Sequence, residues 1–255
     1  MTMPTTFADL ALAPTLQAGL EALGYATLTP IQAQALPAIL AGRDVIAQAP
    51  TGSGKTAAFG LGLLQGIDAG ATRTQALVLC PTRELADQVG KQLRKLATGI
   101  ANLKLSVLCG GIPLAPQLAS LAHAPHVVVG TPGRVLELVQ LDALDLRGVR
   151  VLVLDEADRM LDMGFDEPIR ALVNRTPKDR QALLFSATFP DAIRLLATAM
   201  LRDPLEASVD GDMHAPRIDA HFFEADPARR APQLAALLLQ FRPDSAVVFC
   251  NTRRD

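Results

Sequence analysis

The sequence predicts an α/β domain built on a mostly parallel sheet covered by helices on both faces. Three observations predict it. Short, almost wholly apolar runs recur along the chain, segments with helical spacing separate them, and each run ends in a loop of small, polar or acidic residues. A strand that is apolar throughout is buried on both faces, which is the condition inside a parallel sheet between two helical layers. In such sheets ligands sit at the carboxyl ends of the strands. The loops after the apolar runs are therefore the candidate sites.

Met1 to Thr6 read as a loose leader. Phe7 to Leu23 carry helical spacing, with Leu10, Leu16, Leu20 and Leu23 on one face, and Gly24 ends that helix. Thr29-Pro30 opens the next helix, which runs through Ile31, Leu36 and Ile39 to Gly42. The apolar runs are Val45–Ala47, Ala76–Cys80, Leu105–Cys109, Val127–Val129, Val151–Leu154 and Ala182–Phe185. Between them lie helical patterns at Glu84–Leu96, Leu114–Leu121, Arg134–Val139 and Ala192–Met200. After Leu205–Val209 the polar stretch DGDMHAPR reads as a linker, so residues 1–209 form a first domain and 210–217 the connection. Residues 218–255 read as the incomplete beginning of a second domain: strand Ile218–Phe223, helix Pro232–Phe241, strand Ala246–Cys250. A strand–helix–strand piece is too small to bury its own core.

Composition bounds the function. The 255 residues carry a net charge of −2, so nothing pulls the whole chain toward nucleic acid and any such binding must be local. The three cysteines, Cys80, Cys109 and Cys250, are far apart and inside apolar runs, which fits buried reduced thiols and neither a disulfide nor a zinc site. No apolar run approaches the length of a membrane span and the N-terminus lacks a signal pattern. The expectation is a soluble, cytoplasmic, monomeric protein.

The stretch Asp44 to Thr56, DVIAQAPTGSGKT, has the order that a phosphate site requires. A short buried strand leads into a turn holding Thr51, Gly52, Ser53 and Gly54, and a helix starts at Lys55. Small residues let successive backbone N–H groups point into one concavity, and the helix N-terminus adds its positive dipole end. Lys55 then reaches the outer phosphates and the Thr56 hydroxyl can ligate Mg²⁺. The usual pattern begins with glycine where this chain has Ala49, and the stretch alone also fits a glycine-rich turn that binds nothing.

The second stretch is VLVLDEADRMLDMGF, Val151 to Phe165. A buried strand delivers Asp155, placed to hold Mg²⁺ through water, and Glu156, placed to orient or deprotonate a water attacking the γ-phosphate. Two acids after a strand also fit a helix N-cap. Lys55 and Thr56 in the same chain favour the catalytic reading.

Asp155-Glu156-Ala157-Asp158 spells the motif of the DEAD-box ATP-dependent RNA helicases, and the whole chain resembles that family. Ala49 to Thr56 is similar to the family's own phosphate loop, so Ala49 is no defect there. Thr29-Pro30-Ile31-Gln32 resembles its adenine-reading motif, with Phe7 at the matching distance upstream of Gly24. The resemblance implies that Gln32 pairs with the adenine edge and Phe7 packs on the base. Pro81-Thr82-Arg83-Glu84-Leu85-Ala86, Gly110-Gly111 and Thr131-Pro132-Gly133-Arg134 resemble its RNA-backbone motifs. Ser186-Ala187-Thr188 resembles the motif that couples ATP state to RNA, working with Asp158. Val248-Phe249-Cys250-Asn251-Thr252 resembles the first motif of its second domain. Gly60 to Leu64, Ala76 to Gln88 and the ending CNTRRD are similar to a bacterial ribosome-assembly branch. The resemblance thus implies a RecA-like P-loop domain that uses ATP and Mg²⁺ and binds RNA. By the same resemblance the arginine fingers lie in the second domain, so this chain is expected to bind nucleotide, turn it over poorly and not unwind a duplex.

The residue types support the RNA reading on their own terms. Thr82, Gly111, Thr131 and Gly133 offer hydroxyls and open backbone N–H groups, and Arg83 and Arg134 offer charge. Such groups hold phosphates and sugars without reading sequence. Each also has a bland reading: Pro81 and Pro132 end strands, Arg134 caps a helix or pairs with an acid, and Ser186 and Thr188 satisfy buried backbone. Other candidates carry less. His123 and His126 read as surface histidines without metal spacing, and His214 and His221 have no ligand pattern. Asp142 and Asp145 read as solvated charge, and Met160 and Met163 as packing against the sheet. One alternative is a DNA-directed motor, separated by comparing ATPase stimulation by RNA and by matched DNA, and another is a non-catalytic nucleotide- or RNA-binding module.

Overall fold

The computed structural model describes residues 3–209, 219–226 and 229–250. The chain divides into two compact units, Met1–Met213 and His214–Asp255. The first holds a sheet of seven strands: β1 (Val45–Gln48), β2 (Ala76–Leu79), β3 (Leu105–Leu108), β4 (Val127–Gly130), β5 (Val151–Leu154), β6 (Gln181–Ser186) and β7 (Leu205–Ser208). Their order is β3-β4-β2-β5-β6-β1-β7, and every neighbouring pair is parallel. Every strand therefore points its carboxyl end to the same edge, and every connection crosses a face of the sheet.

Successive residues of a strand face opposite layers, and here both layers are cores. Val78, Val153, Leu183 and Phe185 face one, with Leu16 and Leu20 of α1 (Pro14–Ala22), Leu36 of α2 (Pro30–Leu40), Phe59 of α3 (Lys55–Gln65) and Leu93 of α4 (Arg83–Leu96). Leu77, Leu79, Leu152, Leu154 and Leu184 face the other. That face is covered by Leu138 of α6 (Pro132–Gln140), Met160 of α7 (Ala157–Asp162), Leu172 of α8 (Asp166–Val173) and Leu196 of α9 (Asp191–Met200). Helix α5 (Leu114–Ser120) joins β3 to β4. Among the described residues no helix is long and apolar enough to cross a membrane.

Several expectations need correction. The single helix over Phe7–Leu23 is a short 3₁₀ turn, Phe7–Asp9, then a break, then α1 from Pro14. Proline pushes the preceding residue out of the α region, and Ala13 is extended at ψ 143°. His126 is buried, not on the surface: its Nδ1 accepts from Lys104 N at 2.9 Å and secures the start of β4. Met160 is buried as expected, whereas Met163 is exposed beyond the end of α7.

The second unit contains α10 (Arg230–Phe241). Residues 219–223 and 246–250 are not strands, because a strand exists through its ladder and no described segment pairs with them. Cys250 and Phe249 are accordingly exposed, which corrects the expectation of a buried thiol there. The 210–217 linker, Ile218 and residues 251–255 lie outside the described residues.

Candidate functional site

The phosphate loop joins β1 to α3. Gly52 and Gly54 take φ +85° and +93°, where L side chains are strained, and a Cβ on Gly54 would stand 2.5 Å from Gln32 Nε2. Lys55 is buried, and its Nζ donates to Ala49 O at 2.8 Å, across the mouth of its own loop. Ala49 lies outside the left-handed region, so its place needs no glycine. Its N–H donates to Ser186 O at 3.1 Å, tying the loop to the end of β6.

Gln32 sits at the first turn of α2 and is buried. Its Oε1 accepts from Thr29 N at 2.9 Å, and its Nε2 donates to Gly54 O at 3.0 Å. One lone pair and one N–H remain on that carboxamide. The Thr29 and Ser53 hydroxyls are buried without a partner in the protein. Orphaned polar atoms beside a phosphate-shaped turn are what a bound nucleotide would satisfy. Phe7 is buried and its ring stacks on Tyr25 at 6.1 Å, while Phe7 N donates to Ala26 O, fixing the N-terminal segment just ahead of Thr29.

Asp155 ends β5 and is buried. Burial pushes its carboxyl up to about 6, against the pull of the Lys55 ammonium. Glu156 occupies the N-cap position of α7 at φ 52°, ψ 54°, with no side-chain capping bond. Its carboxylate instead accepts from Thr51 Oγ1 at 3.3 Å and Arg159 Nη1 at 3.4 Å. The cap reading of this acid therefore fails. Asp158 accepts from both the N–H and the hydroxyl of Thr188, at 2.9 and 2.8 Å. Burial pushes the Asp158 carboxyl up, but these bonds outweigh it and hold the group below its usual value. Ser186 Oγ accepts from Asp158 N at 3.2 Å. Ser186 thus touches the phosphate loop through its carbonyl and the acidic turn through its hydroxyl.

On the other half of the same edge lie the loops after β2, β4 and β3. Thr82 caps α4, its Oγ1 accepting from Leu85 N at 3.3 Å, and Arg83 pairs with Glu84 at 3.3 Å while staying half exposed. Thr131 Oγ1 accepts from Gly110 N at 3.1 Å. Arg134 donates to Ile112 O at 3.1 Å and to Glu137 at 2.8 Å, and its Nη1 is buried without a partner. The acid-pairing reading of Arg134 is thus half right: Nε is spent on Glu137 and Nη2 on a carbonyl, while Nη1 is not engaged. Pro81 and Pro132 are buried at the strand ends, whereas Gly111 (φ +75°) and Gly133 are exposed.

The DEAD/DEAH box helicase family profile matches residues 29–196, which include the phosphate loop and both acids. The chain belongs to that family. It is 53% identical over 252 residues to the ATP-dependent RNA helicase DbpA of Escherichia coli, covering 98% of this chain and 55% of DbpA. It is 41% identical over 251 residues to the DEAD-box ATP-dependent RNA helicase CshA of Bacillus cereus, covering 98% of this chain and 48% of CshA. Among solved structures, a DEAD box protein from the hyperthermophile Methanococcus jannaschii superposes with a TM-score of 0.78 at 35% identity, over all of this chain and 68% of that one. The chain spans about half the length of the curated relatives it matches.

In this RecA-like DEAD-box domain the structure adds residues that sequence reasoning missed. Gln117 of α5 is buried and clamps the backbone before Gly110-Gly111. Its Oε1 accepts from Cys109 N at 3.0 Å, and its Nε2 donates to Cys109 O at 3.1 Å and Pro113 O at 3.2 Å. A glutamine within a short helix gives no sign of this, because its partners are set by the loop's path. Cys80 and Cys109 are inert structural thiols: burial pushes Cys80 well above its ordinary value and Cys109 up to about 11.

Proposed function

We propose that this chain is the ATP- and RNA-binding part of an ATP-dependent RNA helicase, acting as a cytoplasmic monomer. One observation carries the reading. A single edge of the sheet holds Gln32, Lys55, Asp155 and Glu156 around the phosphate loop, and holds Thr82, Gly111, Thr131 and Arg134 beside them. The names of DbpA and CshA support RNA as the polymer. A role in ribosome assembly is the finer reading, supported by the resemblance to that branch of the family.

Gln32 offers its free lone pair and N–H to the adenine amino group and ring nitrogen, an arrangement guanine mismatches. Lys55 leaves Ala49 O for the β- and γ-phosphates. Thr56 and Asp155 are the donors that would hold Mg²⁺, which would neutralise developing phosphate charge. A hydroxyl and one carboxylate suit an ion that keeps most of its waters. Glu156 accepts the proton of the attacking water. Ser186 and Thr188, bonded to Asp158, carry the state of the phosphate end toward the RNA loops.

The test is nucleotide titration followed by ATP hydrolysis. ADP should bind more tightly than GDP, and Gln32→Ala should erase the preference; equal affinities would defeat the adenine reading. Lys55→Ala should lower affinity roughly 10–100-fold, the worth of a charge-assisted bond to phosphate. RNA should stimulate hydrolysis more than matched DNA. Equal stimulation would point to a motor that does not distinguish the two polymers.

A further inference from the structure

Two groups from different elements hold the Glu156 carboxylate. Thr51 of the phosphate loop donates to Oε1 at 3.3 Å, and Arg159 on the first turn of α7 donates to Oε2 at 3.4 Å. Glu156 itself sits in left-handed backbone at the N-cap of α7, where its carbonyl accepts from Met160 N at 3.1 Å while its side chain makes no capping bond. We infer that Arg159 is a positioning residue for Glu156, retaining Oε2 on α7 so that Oε1 is the oxygen presented to the phosphate loop. The inference rests on the reading of Glu156 as the group that takes a proton from water.

The terminal torsion of a glutamate is broad and two-fold, so an untethered carboxylate samples many directions. A proton is transferred along one short hydrogen bond, and a misdirected base loses rate. Arg159 lies three residues on, the spacing that brings side chains together on a helix surface. One nitrogen of its planar guanidinium, Nη1, reaches Oε2, and the fixed plane sets the direction of the N–H, which a lysine ammonium does less well. The Arg159 side chain is 60% exposed and that of Glu156 14%. A pair with one partner so open adds little to folding, and Arg159 reaches the carboxylate from its own helix. Its loss therefore falls on the rate of chemistry rather than on stability or nucleotide affinity.

The test is single-turnover ATP hydrolysis by the full chain with saturating RNA, for wild type, Arg159→Ala, Arg159→Lys and Glu156→Gln. The ATP concentration for half-maximal rate and the melting temperature are read for each. Arg159→Ala should slow the chemical step roughly 10–100-fold with both other readings unchanged, and Arg159→Lys should recover part of the loss. Normal hydrolysis by Arg159→Ala with Glu156→Gln inactive would overturn the positioning role alone. Equal hydrolysis by wild type and Glu156→Gln would overturn the reading of Glu156, and the role of Arg159 with it. A loss of ATP affinity as large as the loss of rate would place Arg159 in nucleotide binding and also overturn the inference.

Discussion

Asp44 and Asp155 are both buried aspartates of one sheet, at opposite ends of its strands, and their surroundings differ. Asp44, ahead of β1, accepts from Ala182 N at 2.8 Å and from Arg202 N at 2.7 Å, one bond to each oxygen. Asp155, after β5, accepts from Glu156 N at 3.1 Å, and burial pushes it up to about 6. The contrast extends along both edges. At the amino ends Gln75 bonds Asp68 N and O, Gln181 bonds Ile39 O and Arg43 O, and His126 takes Lys104 N. Thr74 Oγ1 and Arg180 Nε are the unpartnered atoms there. At the carboxyl ends the unpartnered atoms among the described residues are Thr29 Oγ1, Ser53 Oγ and Arg134 Nη1, all on residues of the proposed nucleotide site or RNA track. Buried polar groups closed on backbone hold a fold together, and the open ones that gather around the phosphate loop and the loops after β3 and β4 suit a ligand.

The largest effect expected from this contrast is at Asp44. Asp44→Ala leaves the buried Ala182 N–H and the part-buried Arg202 N–H without their acceptors and should cost about 3–5 kcal/mol of stability. Denaturant titration would measure it, and ADP affinity of the folded fraction should be unchanged. A loss of nucleotide affinity without loss of stability would show that the amino edge is not the purely structural end.

Much of this division was legible in the sequence. Strands β1 to β6 fall within a residue or two of the six apolar runs, because a strand inside the sheet writes its burial into its composition, whereas the edge strand β7, with Ala207 as its one buried residue, carries no such run. The phosphate loop and the acids were legible because their chemistry demands fixed spacing. Asp44, Gln181 and Gln117 were not, since each bonds a backbone group whose nearness only the fold creates: Asp44 and Ala182 are 138 positions apart. Burial of His126 was missed for the same reason, as periodicity says nothing of a ring nitrogen bonded to backbone. The break before Pro14 was readable from the proline and was overrun by the leucine spacing around it.

A second prediction, smaller and of opposite sign, concerns Asp155. Its pKa rises from 3.8 unfolded to about 6 folded, so the folded state favours the neutral acid. Ionisation therefore destabilises the nucleotide-free protein fully above about pH 6 and not at all below the unfolded value. Asp155→Asn should stabilise the protein at pH 8 by on the order of 3 kcal/mol, the linkage value of that shift. The gain should shrink as pH falls through 6 and vanish below about 4. Urea midpoints across that range test it. A gain that did not depend on pH would mean that burial of the charge is not the cause.

The smallest effect sits where the two kinds of work meet in one side chain. Thr82 lies on the carboxyl edge among the residues proposed for the RNA track, yet its hydroxyl is already engaged, accepting from Leu85 N at the start of α4. A hydroxyl that accepts from a helix N–H still has its own proton to donate and a lone pair to spare. It can therefore hold α4 and an RNA phosphate oxygen at once. Thr82→Ala should cost about 1 kcal/mol of stability, the usual worth of an N-cap, and should also weaken RNA binding. Thr82→Ser keeps the hydroxyl and should restore both. Thr82→Asp separates the roles: an aspartate caps at least as well as threonine, but has no proton to give and repels phosphate. Thermal melts should show Thr82→Asp as stable as wild type, while RNA titration shows it weaker than Thr82→Ala. Equal RNA affinity for the aspartate and wild-type proteins would assign Thr82 to the helix alone and remove it from the RNA track.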